Sequence, residues 1–535
     1  MKKGGFYTGS NIRYIFVSLT LGAVTAVLIF LFKLAANAVI SLSSDIYSFV
    51  RENPSYFPIL VLGVAIIGAL SALLLGYSPN CRGGGIPTAL AALRGFITFS
   101  WVKNIFLLFF SSMLTYIGGI PLGNEGPSVQ MGTALGKGCV RVLAPDHPAW
   151  DRYMMTGGAC AGFAAATGAP LAGMFFAFEE AHRRFSSVIF IISSITVIAS
   201  SVTMNVLCYA TGTSGALFDF SIGSVLPTED LWMAAIVGIA CGLCAIAFTN
   251  AYTGVRAFLQ NKLSKIHRGV KVVLIFVLVA VFGFVSSELI GSGHGIVEEL
   301  IDGYGVWYLL ILYFCVRAFL LVLANNIGIT GGLFVPTLAF GAIIGALFAK
   351  LFCSVSLLST ECYAIIVIIG IASVLGSFSR IPLTAIIFSV EALGGASNML
   401  AIIIGVSIAY LVVELFCRNS FTDVVVEGRV EDAHRGKKLI VVDTNLTVKE
   451  GSFVIGKEIR DILFPPSCVI LSIHKCEMHD VKNITGLVQG DTLRVHYQTY
   501  DPQQTLKDLE DLVGCQDKLH PYIHGGDEHD TVPEL

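Results

Sequence analysis

One carboxylate stands between glycines in the segment GNEGP at 123–127, where few neighbouring residues carry charge. Glycine lets a ligand approach the backbone, and a proline is favoured in the first turn of a helix. The first N–H groups of a helix lack partners and carry partial positive charge, so they attract anions. We therefore predict that Glu125 lies at a helix start, where its ionised carboxylate occupies an anion site.

Protonation of Glu125 would remove the charge that the helix start attracts, so the side chain could leave the site. Binding of an anion and ionisation of Glu125 would therefore compete. Ionisable residues inside a membrane are functional candidates by default. The alternative interpretation is an N-cap carboxylate that serves stability only.

Two further carboxylates, Glu179 and Glu180, follow the apolar run PLAGMFFAF and precede the basic HRR. Glu179 recurs as Glu391 in the repeat described below, which favours a shared structural role such as bonding backbone or pairing with arginine. Glu180 has no counterpart, because Ala392 holds the matching position. We expect Glu180 to handle protons near the cytoplasmic end, with a helix-end ion pair to the following arginines as the alternative.

Three blocks of sequence recur about 210 residues later, which predicts two homologous halves. The matched pairs are 83–95 with 293–305, 123–136 with 332–345, and 170–179 with 382–391. Gly/Pro clusters at corresponding positions of two halves indicate helices that break inside the membrane, with a substrate site near the bilayer midplane. An odd number of crossings in each half would make the repeats inverted.

The elements that must hold these residues are membrane helices. Of 535 residues, 55% are hydrophobic and 13% are charged, and the mean hydropathy is +0.76. Runs of about twenty apolar residues recur from Ile15 to Cys417, for example Tyr14–Phe32 and Ala401–Phe416. We predict an all-α polytopic membrane domain that crosses the lipid bilayer.

The predicted domain boundaries follow from where the composition changes. The membrane domain covers residues 1–430, with repeats at roughly 50–215 and 230–417. Charged residues, strand-like alternation and turn signals then predict a small α+β cytosolic domain at 437–515. A His/Asp/Gly/Pro-rich composition predicts a disordered tail at 516–535.

These blocks resemble the CLC family of anion channels and proton-coupled anion antiporters across roughly residues 10–430. The family patterns G-S-G-I-P, G-(R/K)-E-G-P and G-(I/L)-F-x-P stand here as GGGIP at 83–87, GNEGP at 123–127 and GLFVP at 332–336. The resemblance implies inverted repeats and a homodimer with one anion pathway per subunit. It also implies a multi-pass protein of the cell inner (plasma) membrane with both termini in the cytoplasm.

The resemblance also implies roles for particular residues. Glu125 matches the external gating glutamate, and Glu180 falls where proton-coupled members carry an internal glutamate. The implied anion-binding positions are Gly84, Gly85, Asn124, Glu125, Gly126, Leu333, Phe334, Val335 and Phe421. Two hydroxyl donors of the family pattern are missing, because Gly84 replaces a serine and Phe421 replaces a tyrosine. Each missing donor would weaken anion binding by about 1 kcal/mol or more.

The segment from about Lys437 to Tyr500 resembles the TrkA-C, or RCK-C, ligand-sensing module of potassium-uptake regulators. The similarity lies in VKEGSFVIGKEIRDILFPPSCVILSIHK and in the closing LVQGDTLRVH. Such modules dimerise, and some bind small ligands including cyclic dinucleotides. The alternative is an appendage that stabilises a dimer and binds no ligand.

The leading hypothesis is a proton-coupled antiporter of small anions, with chloride as the transported ion. A passive chloride channel and a fluoride or nitrate transporter of the same fold are alternatives. A potassium channel or transporter with a cytosolic regulatory module is the alternative from another class, although a T-V-G-Y-G filter is missing. The chain carries neither H-E-x-x-H nor G-x-S-x-G, so we expect no enzyme, no metal site and no nucleic-acid partner.

Overall fold

The computed structural model describes residues 9–83, 85–218, 220, 224–416, 419–475, 486–513 and 522–524. The first eight α-helices are α1 (Gly9–Glu52), α2 (Phe57–Tyr77), α3 (Ile86–Leu93), α4 (Trp101–Ile117), α5 (Glu125–Leu143), α6 (Asp151–Thr167), α7 (Pro170–Phe176) and α8 (Ser187–Thr211). The next eight are α9 (Leu231–Asn261), α10 (Arg268–Val285), α11 (His294–Ile301), α12 (Trp307–Ile327), α13 (Phe334–Ser354), α14 (Tyr363–Ser379), α15 (Pro382–Ala392) and α16 (Met399–Phe416). A further helix, α17 (Phe421–Ala433), leads into the C-terminal domain.

The order of long and short helices repeats, so α1 to α8 correspond to α9 to α16. The short helices α3 and α7 of the first half match α11 and α15 of the second half. Among the described residues, nine helices are long and apolar enough to cross a membrane. These observations confirm the prediction of a helical membrane domain built from two repeats.

The centre of each half is a pair of helices in close contact through glycines. A Cβ atom on Gly132 of α5 would lie 2.1 Å from the carbonyl oxygen of Gly158 on α6. In the second half, a Cβ atom on Gly341 of α13 would lie 2.6 Å from the carbonyl oxygen of Gly370 on α14. Small residues allow membrane helices to approach this closely, so the paired glycines fix the helices whose starts form the site.

The C-terminal domain is a small antiparallel sheet covered by one helix. Its strands are β1 (Ile440–Thr447), β2 (Val469–His474), β3 (Thr492–Thr499) and β4 (Tyr522–His524), in the order β2-β3-β1-β4, and its helix is α18 (Pro502–Val513). The α+β character of this domain is therefore confirmed. Within 516–535 the structure describes only β4, which pairs with Val441–Asp443 of β1.

The C-terminal domain contacts the membrane domain through the loop 459–464. The guanidinium of Arg152 at the start of α6 donates to the carbonyl oxygens of Leu463 at 2.8 Å and Phe464 at 2.6 Å. The hydroxyl of Tyr153 donates to the carbonyl oxygen of Asp461 at 2.7 Å. The loop therefore binds the end of the membrane domain where α6 begins.

The two halves run in opposite directions relative to this contact. Helix α6 begins beside Asp461 of the C-terminal domain. Its counterpart α14 ends on the same side, where the hydroxyls of Ser379 and Thr422 on α17 lie 2.8 Å apart. Helix α8 also begins there, because the N–H of Ser187 donates to Asp461 Oδ1 at 3.1 Å. Opposite directions of corresponding helices confirm that the repeats are inverted.

Candidate anion and proton site

The starts of α5 and α13 meet at the centre of the membrane domain. The N–H of Gly123 donates to the carbonyl oxygen of Gly332 at 2.8 Å, and the N–H of Gly332 donates to that of Gly123 at 2.7 Å. This two-bond bridge joins positions that the sequence repeat had paired at an offset of 209 residues. The bridge therefore holds the first turns of the two helices side by side.

The backbone at the two helix starts is nearly the same. Asn124 has φ −95° and ψ −12° before α5, and Leu333 has φ −93° and ψ −10° before α13. Neither residue caps its helix with its side chain. The halves therefore present equivalent backbone to whatever lies between them.

Each of these helices leaves its first N–H groups without an intrahelical acceptor. The first N–H that bonds back within α5 belongs to Ser128, which donates to the carbonyl oxygen of Asn124 at 3.1 Å. In α13 the first such donor is Thr337, which donates to Leu333 at 3.1 Å. A proline precedes each donor and has no N–H. The donors left over are the backbone N–H groups of Glu125, Gly126, Phe334 and Val335.

A third helix start, that of α3, approaches the same point. A Cβ atom on Gly126 would lie 2.6 Å from the Cα of Gly332 and 3.0 Å from the Cα of Gly85, so only glycine fits there. The N–H of Gly85 already donates to the side-chain oxygen of Gln130 at 2.8 Å. Gly85 thus lies beside the site with its own N–H engaged, whereas Gly84 lies outside the described residues.

The carboxylate of Glu125 lies against the helix start of the other half. The side chain is buried, and it faces its own N–H and the N–H of Val335 on α13. Its Oε2 atom is closely packed, because a Cβ atom on Gly123 would lie 2.4 Å from it. Among the described residues this Oε2 atom has no hydrogen-bond partner. The carboxylate thus occupies a place where the free N–H groups of α13 could receive an anion.

Two residues that the sequence reasoning missed also lie near Glu125. The buried hydroxyl of Tyr116 on α4 donates to the carbonyl oxygen of Gly123 at 3.1 Å. Lys33 on α1 interacts electrostatically with Glu125. Lys33 was detectable in the sequence as a single charge within a long apolar run, whereas Tyr116 carried no such signal.

The second predicted proton residue, Glu180, is buried on the side that faces the C-terminal domain. It belongs to a π-helical turn, Ala177–Ala181, that follows α7, and such turns are frequent at functional sites. The hydroxyl of Thr422 on α17 lies close to its side chain. Its carbonyl oxygen accepts a hydrogen bond of 2.9 Å from Arg94 at the end of α3.

Two of the arginines around Glu180 form ion pairs with Asp423 and not with the Glu180 carboxylate. Asp423 on α17 pairs with Arg94 at 3.2 Å and with Arg183 at 2.5 Å. Arg184 donates to the carbonyl oxygen of Ile462 at 2.8 Å. Both arginines that follow Glu180 therefore have other partners, which disfavours a helix-end ion pair as the reason for this glutamate.

The glutamates that recur in both halves cap each other's helices. The carboxylate of Glu179 accepts from the N–H groups of Leu383 at 2.9 Å and Thr384 at 2.6 Å, at the start of α15. The carboxylate of Glu391 on α15 accepts from the N–H groups of Leu171 and Ala172, both at 2.9 Å, at the start of α7. The repeat predicted a shared structural role for Glu179 and Glu391, and the structure shows that both carboxylates bind backbone N–H groups.

Phe421 lies in an aromatic cluster at the first position of α17, which packs against α3. Its ring centroid is 5.1 Å from that of Phe248, 5.2 Å from that of Tyr252 and 5.7 Å from that of Phe378. The hydroxyl of Tyr252 donates to Asn325 Oδ1 at 2.9 Å. Phe421 thus contributes an apolar ring without a hydroxyl at the start of α17.

The fold and the site define an integral membrane protein of two inverted halves whose helix starts meet at the centre. The family described as voltage gated chloride channel matches residues 62–414, which is most of the membrane domain. The chain therefore belongs to this family, the CLC proteins.

Solved structures of the same fold extend over nearly the whole membrane domain. A slow cyanobacterial Cl−/H+ antiporter superposes with a TM-score of 0.72 at 24% identity, covering 79% of this chain and 99% of that one. A CLC-type fluoride/proton antiporter gives 0.64 at 20% identity, covering 78% and 98%. A eukaryotic CLC transporter gives 0.64 at 19% identity, covering 78% and 74%. At these identities the likeness establishes the fold.

Proposed function

We propose that this protein exchanges chloride, or a similar small anion, for protons across a cell membrane. Glu125 is the protonatable external gate, and Glu180 passes protons on the side of the C-terminal domain. The observation that carries the proposal is that the buried Glu125 carboxylate lies at the bridge between Gly123 and Gly332, where the start of α13 in the other half presents its free N–H groups.

The exchange follows from competition for one set of donors. An ionised Glu125 satisfies the free N–H groups at the start of α13, so a transported anion can replace it only when the carboxylate leaves. Protonation removes the charge that held the side chain there. The binding groups are backbone dipoles instead of lysine or arginine side chains, so the anion is held without a full countercharge and can leave again.

Protons reach Glu180 from an aqueous cleft beside the C-terminal domain. The cleft has a volume of about 920 Å³, and its walls include Ala181 and Arg183 on one side and residues 463–473 on the other. The buried Glu180 directly precedes Ala181 in the chain. Glu180 therefore has a short route to water on the side of the membrane domain that faces the C-terminal domain.

The proposal is tested by ion flux from proteoliposomes loaded with chloride. We expect an outward chloride gradient to drive proton movement that a pH electrode detects, even when the membrane potential opposes proton flow. Chloride flux without coupled proton movement would instead indicate a passive channel. Flux of potassium but not chloride would overturn the assignment to anions.

Selectivity among anions is a separate question, because the two hydroxyl donors of the family pattern are missing at Gly84 and Phe421. We propose that backbone N–H groups carry most of the binding, which favours chloride without excluding related anions. Parallel efflux assays with chloride, nitrate and fluoride measure this directly. Faster efflux of fluoride than of chloride would favour the fluoride transporter instead.

We further propose that the C-terminal domain is a TrkA-C-like regulatory module. Two observations support a regulatory contact: the loop 459–464 binds the start of α6, and the cleft beside it is lined by Arg94, Arg152, Arg183 and Arg184. An arginine-rich cleft suits phosphate groups, so a cyclic dinucleotide is a reasonable ligand. Addition of cyclic dinucleotides to the flux assay should change the rate; an unchanged rate together with no binding would favour a structural appendage.

We also propose a homodimer with one pathway in each subunit and both termini in the cytoplasm. Helices α7 and α15 lie side by side and leave Leu171 and Leu383 half exposed on the surface of the membrane domain. Cross-linking through a cysteine introduced at position 171 should yield a covalent dimer. A monomer mass in detergent, with no cross-linked product, would contradict this assembly.

A further inference from the structure

A single charged residue lies in the middle of the long apolar helix α1. Between Arg13 and Asp45, Lys33 is the only charged residue of the sequence. A lysine in a membrane-spanning segment is costly, so such residues mark function or close pairing. The residue before Glu125 is the neutral Asn124, so the helix start that carries the gate supplies no cation of its own.

The ammonium of Lys33 lies on the side of the membrane domain opposite the C-terminal domain. It donates to the carbonyl oxygens of Ala166 and Gly215, each at 3.2 Å. Ala166 belongs to the last turn of α6, whose first turn binds the C-terminal domain. The bond to Ala166 caps the end of α6, and Gly215 lies after α8. An ammonium has three N–H donors, so these two bonds leave one N–H.

Besides Lys33, two titratable side chains among the described residues interact electrostatically with Glu125 or with Lys33 itself. They are Tyr116 on α4 and Cys208 on α8. Both are neutral at ordinary pH.

The contacts of Gly132 with Gly158 and of Gly162 with Ser128 set an antiparallel register of α5 and α6. One helical turn further on, this register brings Ala166 opposite Asn124. Lys33, which is bonded to Ala166, therefore lies beside the start of α5, as a cation close to the Glu125 carboxylate within the part of the chain that the structure describes.

We propose that Lys33 is a positioning residue that sets the pH at which Glu125 leaves its site. Its positive charge stabilises the ionised carboxylate through a medium of low polarity, where charge interactions are strong. It thereby holds the gate closed until the pH is low enough to protonate Glu125. This inference rests on the gating role proposed for Glu125 and adds a second residue, from another helix, to that gate.

The test is the pH profile of anion flux in proteoliposomes carrying Lys33→Met or Lys33→Gln. Without the cation the ionised carboxylate is less stable, so Glu125 is protonated at higher pH. We expect the midpoint of flux activation to rise by about one pH unit, which corresponds to a tenfold change in proton affinity. Lys33→Arg should keep the midpoint of the unchanged protein.

Two comparisons separate this role from a purely structural one. Glutamine keeps N–H donors for the carbonyls of Ala166 and Gly215 but lacks the charge, so Lys33→Gln should shift the midpoint as Lys33→Met does. In a Glu125→Gln background, loss of Lys33 should leave the pH profile flat. A lower flux with an unchanged midpoint in both neutral variants would mean that Lys33 only caps α6.

Failure of the proposed exchange would give a different result. If chloride flux proves uncoupled from protons, passive chloride flux gated by Glu125 would still depend on pH. The shift of its midpoint on loss of Lys33 would then still test this inference. A flux with no pH dependence in the unchanged protein would remove the gate and this inference together.

Discussion

The starts of α5 and α13 have almost the same backbone and entirely different side chains. The first residue of α5 is Glu125, whereas the first residue of α13 is Phe334. Phe334 packs edge-on against Phe163 and Phe388, with ring centroids 5.3 Å and 5.2 Å away. The amide donors are thus repeated at both helix starts, but of these two helices only α5 begins with a titratable residue.

The corresponding helices α7 and α15 show the same contrast between the two halves. In the first half, α7 continues into a π-helical turn that buries Glu180, whereas in the second half α15 stays α-helical and ends at Ala392. The capping glutamates Glu179 and Glu391 are preserved in both halves. The repeat therefore preserves the groups that build the scaffold and not the groups to which we assign proton transfer.

Removing the carboxylate that distinguishes α5 from α13 should change transport more than any other substitution. In Glu125→Gln, both helix starts lack an ionisable group, so nothing competes with the anion according to pH. We expect proton movement coupled to chloride to be lost, while chloride flux continues at a rate that no longer depends on pH. Simultaneous chloride and proton flux measurements test this.

The control for that variant is Glu52→Gln, which changes an exposed glutamate at the end of α1. It should retain both fluxes and their pH dependence. Unchanged proton pumping by Glu125→Gln would remove Glu125 from the gate.

A second large effect is expected at Glu180, the buried carboxyl group of the first half whose position in the second half is Ala392. Glu180→Gln keeps the shape of the side chain and its contact with Thr422 but cannot carry a proton. We expect coupled proton flux to fall by roughly tenfold or more, which corresponds to about 1.4 kcal/mol in the barrier, with chloride flux retained. The exposed Glu427 of α17 provides the matched control, Glu427→Gln. Equal losses in the two variants would speak against a specific role for Glu180.

A further variant, Phe334→Glu, places a carboxylate at the start of α13 in the second half. In Phe334→Glu, two carboxylates would lie at adjoining helix starts, and like charges so close cannot both ionise easily. We expect chloride flux at neutral pH to fall about tenfold and to recover at acidic pH, where both groups are protonated.

Phe334→Leu serves as the control, because it removes the ring without adding a carboxylate. It should not acquire the acid-dependent recovery. A flux in Phe334→Glu that is equally low at every pH would show that the loss comes from packing and not from charge.

The smallest expected effect concerns the capping glutamates, which both halves retain. In Glu179→Ala the N–H groups of Leu383 and Thr384 and the hydroxyl of Thr384 lose their acceptor. Glu391→Ala removes the acceptor from two N–H groups. We expect each change to lower the free energy of unfolding by about 1 to 3 kcal/mol, more for Glu179, with proton coupling intact. Thermal unfolding in detergent, beside the flux assay, measures both; a loss of coupling without a loss of stability would contradict a capping role.

Several features of the fold and the site could be predicted from sequence because their causes are local. Glycines and prolines at fixed spacing marked the starts of α5 and α13, and the recurrence of those blocks predicted two halves. Recurrence also predicted a structural role for Glu179, which the contact with α15 confirms. The donor role expected for Gly85 depended on its neighbours, and in the structure Gln130 takes up its N–H.

Apolar runs and Gly/Pro positions act over short distances, so the amino-acid sequence was enough to predict that the chain crosses a membrane, that it contains a repeat, and that Glu125 lies at a helix start. The groups around the Glu125 carboxylate could not be predicted in this way. One of them is the N–H of Val335, about 210 residues away in the chain, and Lys33 lies in the same region on a third helix. Such contacts depend on how two inverted halves pack against each other, and no local pattern encodes that packing.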